Sequence, residues 1–145
     1  MYPAECYLIA RGDAALEGGL ESGLYGYYPL KHQLIPLWAG DEIARALDRA
    51  CYDNAAVHAA PLTLIITGVF ERSSWRYQER AYRRILLDSG HVIGNATLAA
   101  TTLGLRTHVT AAFHDQLLNN LLRLDDEDEG ALAVIALNQI GTAER

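Results

Sequence analysis

The chain has 145 residues, 50% of them hydrophobic and 21% charged, a balance that fits one folded domain with a real core and excludes a disordered segment. Twelve basic against eighteen acidic side chains leave a net charge of −6, which argues against general nucleic-acid binding. No apolar run reaches the ~20 residues of a membrane-spanning helix, and the opening MYPAECYLIA lacks the basic-then-apolar order of a secretion signal, so a cytoplasmic location is expected.

In chain order, residues 4–10 (AECYLIA) read as a strand stopped by Arg11-Gly12-Asp13, a tripeptide that also spells a cell-adhesion motif but is ordinary turn chemistry here. Residues 23–38 carry two β-rich runs around PLKHQ, the pattern of a hairpin. Asp41 stands as the N-cap of a helix over 42–51, with Ile43, Ala46, Leu47 and Ala50 on one face. The continuous apolar run over 60–70 marks a central buried strand. One long helix is predicted over 75–103, then a strand over 107–113. A helix over 114–124 follows, with Leu117, Leu118, Leu121 and Leu122 toward the core. Residues 125–130 (DDEDEG) form a solvated acidic turn, and a buried strand over 131–141 closes the chain. The order of elements, without linker or repeat, predicts a single α+β domain spanning 1–145.

Cys6 and Cys51 show no metal-ligand spacing and read as two buried, reduced thiols. Histidines 32, 58, 108 and 114 have no metal spacing either, so no metal site is proposed. Motifs for a serine nucleophile, a phosphate-binding loop and a dinucleotide fold are absent from the sequence. Arginines 72, 76, 80, 83 and 84 alternate with Glu71 and Glu79; a salt-bridged, solvated face is the first reading and an anionic-ligand contact the second.

A helix over 75–103 would be about 43 Å long, more than a domain of this size covers, so a partner subunit is its natural cover. Gly90 and Gly94 lie four residues apart on that helix, and each costs about 1 kcal/mol relative to alanine. Three readings stand: another helix approaches the backbone there, a flat ring does, or nothing in particular. His91 and Asn95 share a face; His91 serves either as a polar group at a subunit contact or as a ligand-contacting imidazole.

The stretch WRYQERAYRRILLDSGHVIGNATLAATTLGL resembles the nitroreductase superfamily, in particular its SagB-type dehydrogenases, which oxidise azolines in peptide natural products. The matching residues are Trp75, Tyr77, Glu79-Arg80, Tyr82-Arg83, Gly90-His91, Asn95 and Leu98-Ala99-Ala100, and the likeness extends over the whole chain. The resemblance implies a central, mostly antiparallel sheet with flanking helices, and a long helix at a homodimer interface. It also implies flavin mononucleotide (FMN) between subunits, with Thr110, Ala111 and Ala112 offering backbone amides to the ring, and Gly90, Asn95 and Arg106 in the cofactor site. Tyr77 and Arg76 take the place of the family's Tyr and Lys. Guanidinium stays protonated, so Arg76 is a poor general base, while Tyr77 retains a proton to donate. Family members open with helices whose arginine grips the flavin phosphate. The resemblance therefore implies a domain lacking the family's opening helices, with Arg76, Arg106 or a partner polypeptide as the phosphate donor. Two functions follow: an FMN oxidoreductase acting on a peptide natural product, or a flavin-free, catalytically silent subunit that serves as a scaffold.

Overall fold

Strand β1, Ala4–Ala10, shows how the sheet sorts its side chains. Alternation sends Ile9 to one face and Leu8 and Ala10 to the other, and each joins a separate apolar cluster. The computed structural model describes residues 2–12, 19–125 and 127–139. Five further strands flank β1: β2 (Gly23–Tyr28), β3 (Gln33–Ala39), β4 (Leu62–Val69), β5 (Leu105–Thr110) and β6 (Glu129–Gln139). Their order is β3-β2-β1-β4-β6-β5, with every neighbouring pair antiparallel. The central position of β4 follows from its sequence: Thr63, Ile65, Ile66 and Thr67 are all fully or almost fully buried, so both of its faces are covered.

Helices α1 (Glu42–Ala50), α2 (Ala55–His58) and α5 (Asp115–Leu122) cover one face. Ile43, Leu47, Val57, Leu118 and Leu122 pack there against Ile9, Leu24, Ile65 and Val134. Helices α3 (Glu71–Tyr77) and α4 (Ala81–Thr102) belong to the other face, where Ile85 of α4 meets β4 at Gly68. Gly68 shares its face of β4 with Leu64 and Ile66. A six-stranded antiparallel sheet with flanking helices is thus the observed architecture, as the sequence predicts.

Several details differ from the sequence reading. The single helix expected over 75–103 is two, because Gln78 adopts φ 49°, ψ −132° and a 3-10 turn over Gln78–Arg80 joins α3 to α4. Asp41 stands at the N-cap of α1 without a side-chain capping bond, its backbone being already helical. Helix α2, which the sequence reading lacks, has a true cap: Asn54 Oδ1 accepts from the Ala56 and Val57 amides at 2.9 and 3.3 Å. Leu117 points outward rather than coreward, since α5 buries the stripe of Leu118 and Leu122 one position on. Cys6 is only half buried. Burial, then the charge of Glu5, pushes its thiol up to about 11. Cys51 is buried and rises to about 11 too, through burial and then Asp48. Asp13, Asp126 and the end of the last predicted strand lie outside the described residues.

Arg11 has a structural use. Its guanidinium grips the buried carboxylate of Asp48 through both terminal nitrogens, with Nη1 donating to Oδ2 at 3.0 Å. His58 Nδ1 lies 2.9 Å from the same Oδ2 and donates when it carries the proton. Burial by itself would raise the Asp48 carboxyl, but hydrogen bonds and charge from Arg11 and His58 outweigh it and hold the group below its ordinary 3.8. A carboxyl lowered by folding contributes its full stabilisation above that ordinary value and loses it as pH falls through the lower folded one. Asp48→Asn is therefore expected to cost about 2–3 kcal/mol at pH 7 in urea denaturation, and the gap to the native chain should narrow below about pH 4. A gap unchanged between neutral and acidic pH would mean that the carboxylate charge does not hold this junction.

Candidate functional site

The Arg76-Tyr77 pair occupies the last turn of α3, just before the break at Gln78. Two guanidiniums face the Tyr77 ring: that of Arg84 with its carbon 4.2 Å from the centroid, and that of Arg76 at 5.7 Å. Cation–π attraction of this kind fixes the ring while leaving the hydroxyl available. Arg76, Tyr77, Gln78, Glu79 and Arg80 line an open hollow of about 440 Å³ at the elbow.

Beyond the elbow, α4 is mostly bare. Only Ala81, Ile85, Ser89 and Ala100 are buried along its 22 residues. Leu87, Gly90, Gly94 and Leu98 recur at three- and four-residue steps and so share one face, on which Leu87 is 60% and Leu98 66% exposed. A Cβ built on Gly90 or Gly94 meets nothing within 4 Å. The close approach predicted from these glycines is therefore not made among the described residues. His91 and Asn95 sit exposed beside them.

Thr110 ends β5, and Ala111 and Ala112 follow as exposed extended chain. The sequence reading offered all three backbone amides to a ligand. The Ala112 amide is already taken by Thr110 Oγ1 at 2.9 Å, which leaves those of Thr110 and Ala111. Arg106 stands at the opposite end of β5, about 13 Å from Thr110, and lines a different hollow with Thr107, His108 and Asn138. Arg76 and Tyr77 thus share one hollow, Arg106 lines another, and Gly90 and Asn95 lie on open helix surface. One chain does not bring these residues around a flavin. They fit one only as separate walls of a site completed by a second polypeptide.

Sequence reasoning missed one sizeable cleft. It measures about 640 Å³ and is lined by Tyr2, Ala4, Cys6, Tyr27, Leu30, Arg72 and Val92 among others. Arg72 of α3 crosses to β1, where it pairs with Glu5 and donates to the Tyr2 carbonyl at 3.0 Å. The expected partners Glu71 and Glu79 are not the ones it uses. Because the cleft is assembled from four elements far apart in sequence, no local pattern marks it.

With this geometry in view, the comparisons are specific. The Nitroreductase family matches residues 1–138, and the chain belongs to that family. A nitroreductase-like protein of Methanocaldococcus jannaschii is 32% identical over 125 residues, 86% of this chain and 61% of its own. The trifolitoxin-processing protein TfxB of Rhizobium leguminosarum bv. trifolii is 30% identical over 141 residues, 95% of this chain and 37% of its own. In the structure of the Escherichia coli microcin synthetase McbBCD complex with truncated pro-MccB17 bound, one chain superposes with a TM-score of 0.84 at 25% identity. The match covers 97% of this chain and 53% of that one. The chain therefore spans less than two thirds of these relatives' length; within that span it is a member of the Nitroreductase family similar to peptide-processing proteins. Among the described residues no helix is long and apolar enough to cross a membrane.

The elbow itself offers a test. At φ 49°, ψ −132°, Gln78 occupies backbone space that favours glycine and strains other residues by about 1–3 kcal/mol. Gln78→Gly is expected to raise unfolding stability by roughly 1 kcal/mol in denaturant titration, after the extra flexibility of glycine in the unfolded chain is subtracted. A loss of stability would mean that the residue is not strained there.

Proposed function

We propose that this chain is an FMN-dependent oxidoreductase of the SagB-like branch. It works in the cytoplasm as a homodimer with flavin between subunits, and acts in the modification of a peptide natural product. The observation that carries the reading is the bare face of α4, where Leu87, Gly90, Gly94 and Leu98 expose apolar surface and naked helix backbone. Such a face requires cover, and two glycines on it leave room for a helix or a flat ring. The related peptide-processing proteins support the substrate class. The multi-subunit microcin synthetase supports a further partner polypeptide that completes the site.

In this reading Gly90, Asn95 and the Thr110–Ala112 turn hold the ring, with Ala111 at its edge, and Arg106 meets the phosphate. A flavin bound there would supply acceptance and return of a hydride. Tyr77, steadied by Arg84 and Arg76, presents a phenolic proton to substrate. Arg76 stays protonated and so orients an anionic or carbonyl group instead of removing a proton. The same substitution favours the second reading, a flavin-free scaffold subunit, over azoline oxidation.

An absorption spectrum of the purified protein, before and after FMN addition and desalting, separates the two. Flavin bands retained at about one per chain are expected for the oxidoreductase. A colourless protein that also refuses added FMN points to the scaffold.

A further inference from the structure

Five of the chain's twelve basic residues fall between positions 72 and 84, against two glutamates, so segment 71–84 carries +3 while the remainder carries −9. Arg72 is spent on Glu5. Among the described residues, Arg76, Arg80, Arg83 and Arg84 make no hydrogen bond or ion pair, and Arg76 and Arg84 face the Tyr77 ring. Arg76 and Arg80 line the same hollow, and Arg80 and Arg84 lie one helical turn apart. Between them stand exposed aromatics: Trp75 is 69% and Tyr82 59% exposed. Trp, Tyr and Arg together are the side chains that dominate binding energy at protein interfaces.

We infer that the α3–α4 elbow, Trp75 to Arg84, is a docking surface for an acidic, extended peptide segment whose carboxylates meet Arg76, Arg80 and Arg84. Charge complementarity selects the occupant. The elbow is the one strongly basic stretch of an acidic chain, so the rest of the surface repels the same partner and sets its orientation. Four guanidiniums along two helical ends exceed what one phosphate engages and suit carboxylates spaced along a chain. A nucleic-acid backbone is disfavoured by the chain's net charge of −6 and by Asp88, one helical turn beyond Arg84. The inference deepens the proposed action on peptides by placing the recognised acidic segment beside Tyr77. It is tested by binding alone, so protein that holds no flavin still tests it.

The probe is a fluorescein-labelled peptide of alternating Glu and Gly with one Tyr, followed by anisotropy at low and raised salt. A matching Lys/Gly peptide and an oligothymidine serve as controls. Binding of the acidic peptide alone is expected, weakening as salt is raised. It should fall at least about tenfold in Arg80→Glu/Arg84→Glu and be largely kept in Arg80→Lys/Arg84→Lys. Absence of binding at low salt, equal binding of either control, or an undiminished affinity in the charge-reversed variant would overturn the inference. So would sedimentation showing that the charge reversal turns a dimer into a monomer, because the elbow would then be covered by a second copy.

Discussion

The seat of α4 on the sheet is the contact on which the rest of the molecule depends. Gly68 of β4 lacks a side chain where Ile85 arrives; a Cβ there would stand 2.8 Å from Ile85 Cγ2 and 2.9 Å from Leu132 Cδ1. Ile85 is fully buried in that notch. Because the helix is anchored near its start, its path fixes both other features of the region. Upstream, the chain must turn at Gln78 to reach α3, which puts Tyr77 between two guanidiniums. Downstream, about 26 Å of helix runs on with few coreward positions, and its outer face is left bare.

Charge is divided in the same way. At one end of the sheet the buried Asp48 carboxylate is held by Arg11 and His58, and this ion cluster joins β1, α1 and α2. Its use is structural, because leaving the buried Asp48 carboxylate or the Arg11 guanidinium beside it unpaired is costly, while His58 is mostly exposed. At the elbow the guanidiniums are exposed and mostly without carboxylates. Exposed pairs contribute little to folding, so the sequence gains nothing in stability from crowding arginines there. Recognition of an acidic peptide is the use proposed for them.

Much of the fold was legible because its signals are local. The branched run of β4 reads as a buried central strand, and the Tyr-rich runs around Pro29–His32 read as a hairpin, which a Tyr27–His32 contact at 2.8 Å ties together. The break at Gln78 was hidden, since Arg76, Gln78, Glu79 and Arg80 are all good helix formers and the apolar spacing runs on through them. Helix α2 was hidden by its length: four residues are too few for a period to show. The site was legible only in part. Gly90 and Gly94 signal an approach whose other half is not among the described residues, and Arg76-Tyr77 carries a family pattern. The cleft between Tyr2, Tyr27, Arg72 and Val92 exists only after β1, the hairpin, α3 and α4 have come together.

The account turns on whether two copies of this chain meet on the bare face of α4. Sedimentation of the native chain and of Leu87→Glu at micromolar concentration tests this most directly, since Leu87 touches solvent rather than core. The native chain should sediment at twice its 15.9 kDa mass, and the variant, with a charge set into an apolar interface, should sediment as a folded monomer. A native chain that is monomeric, or a variant that dimerises as well as the native chain, would contradict the account.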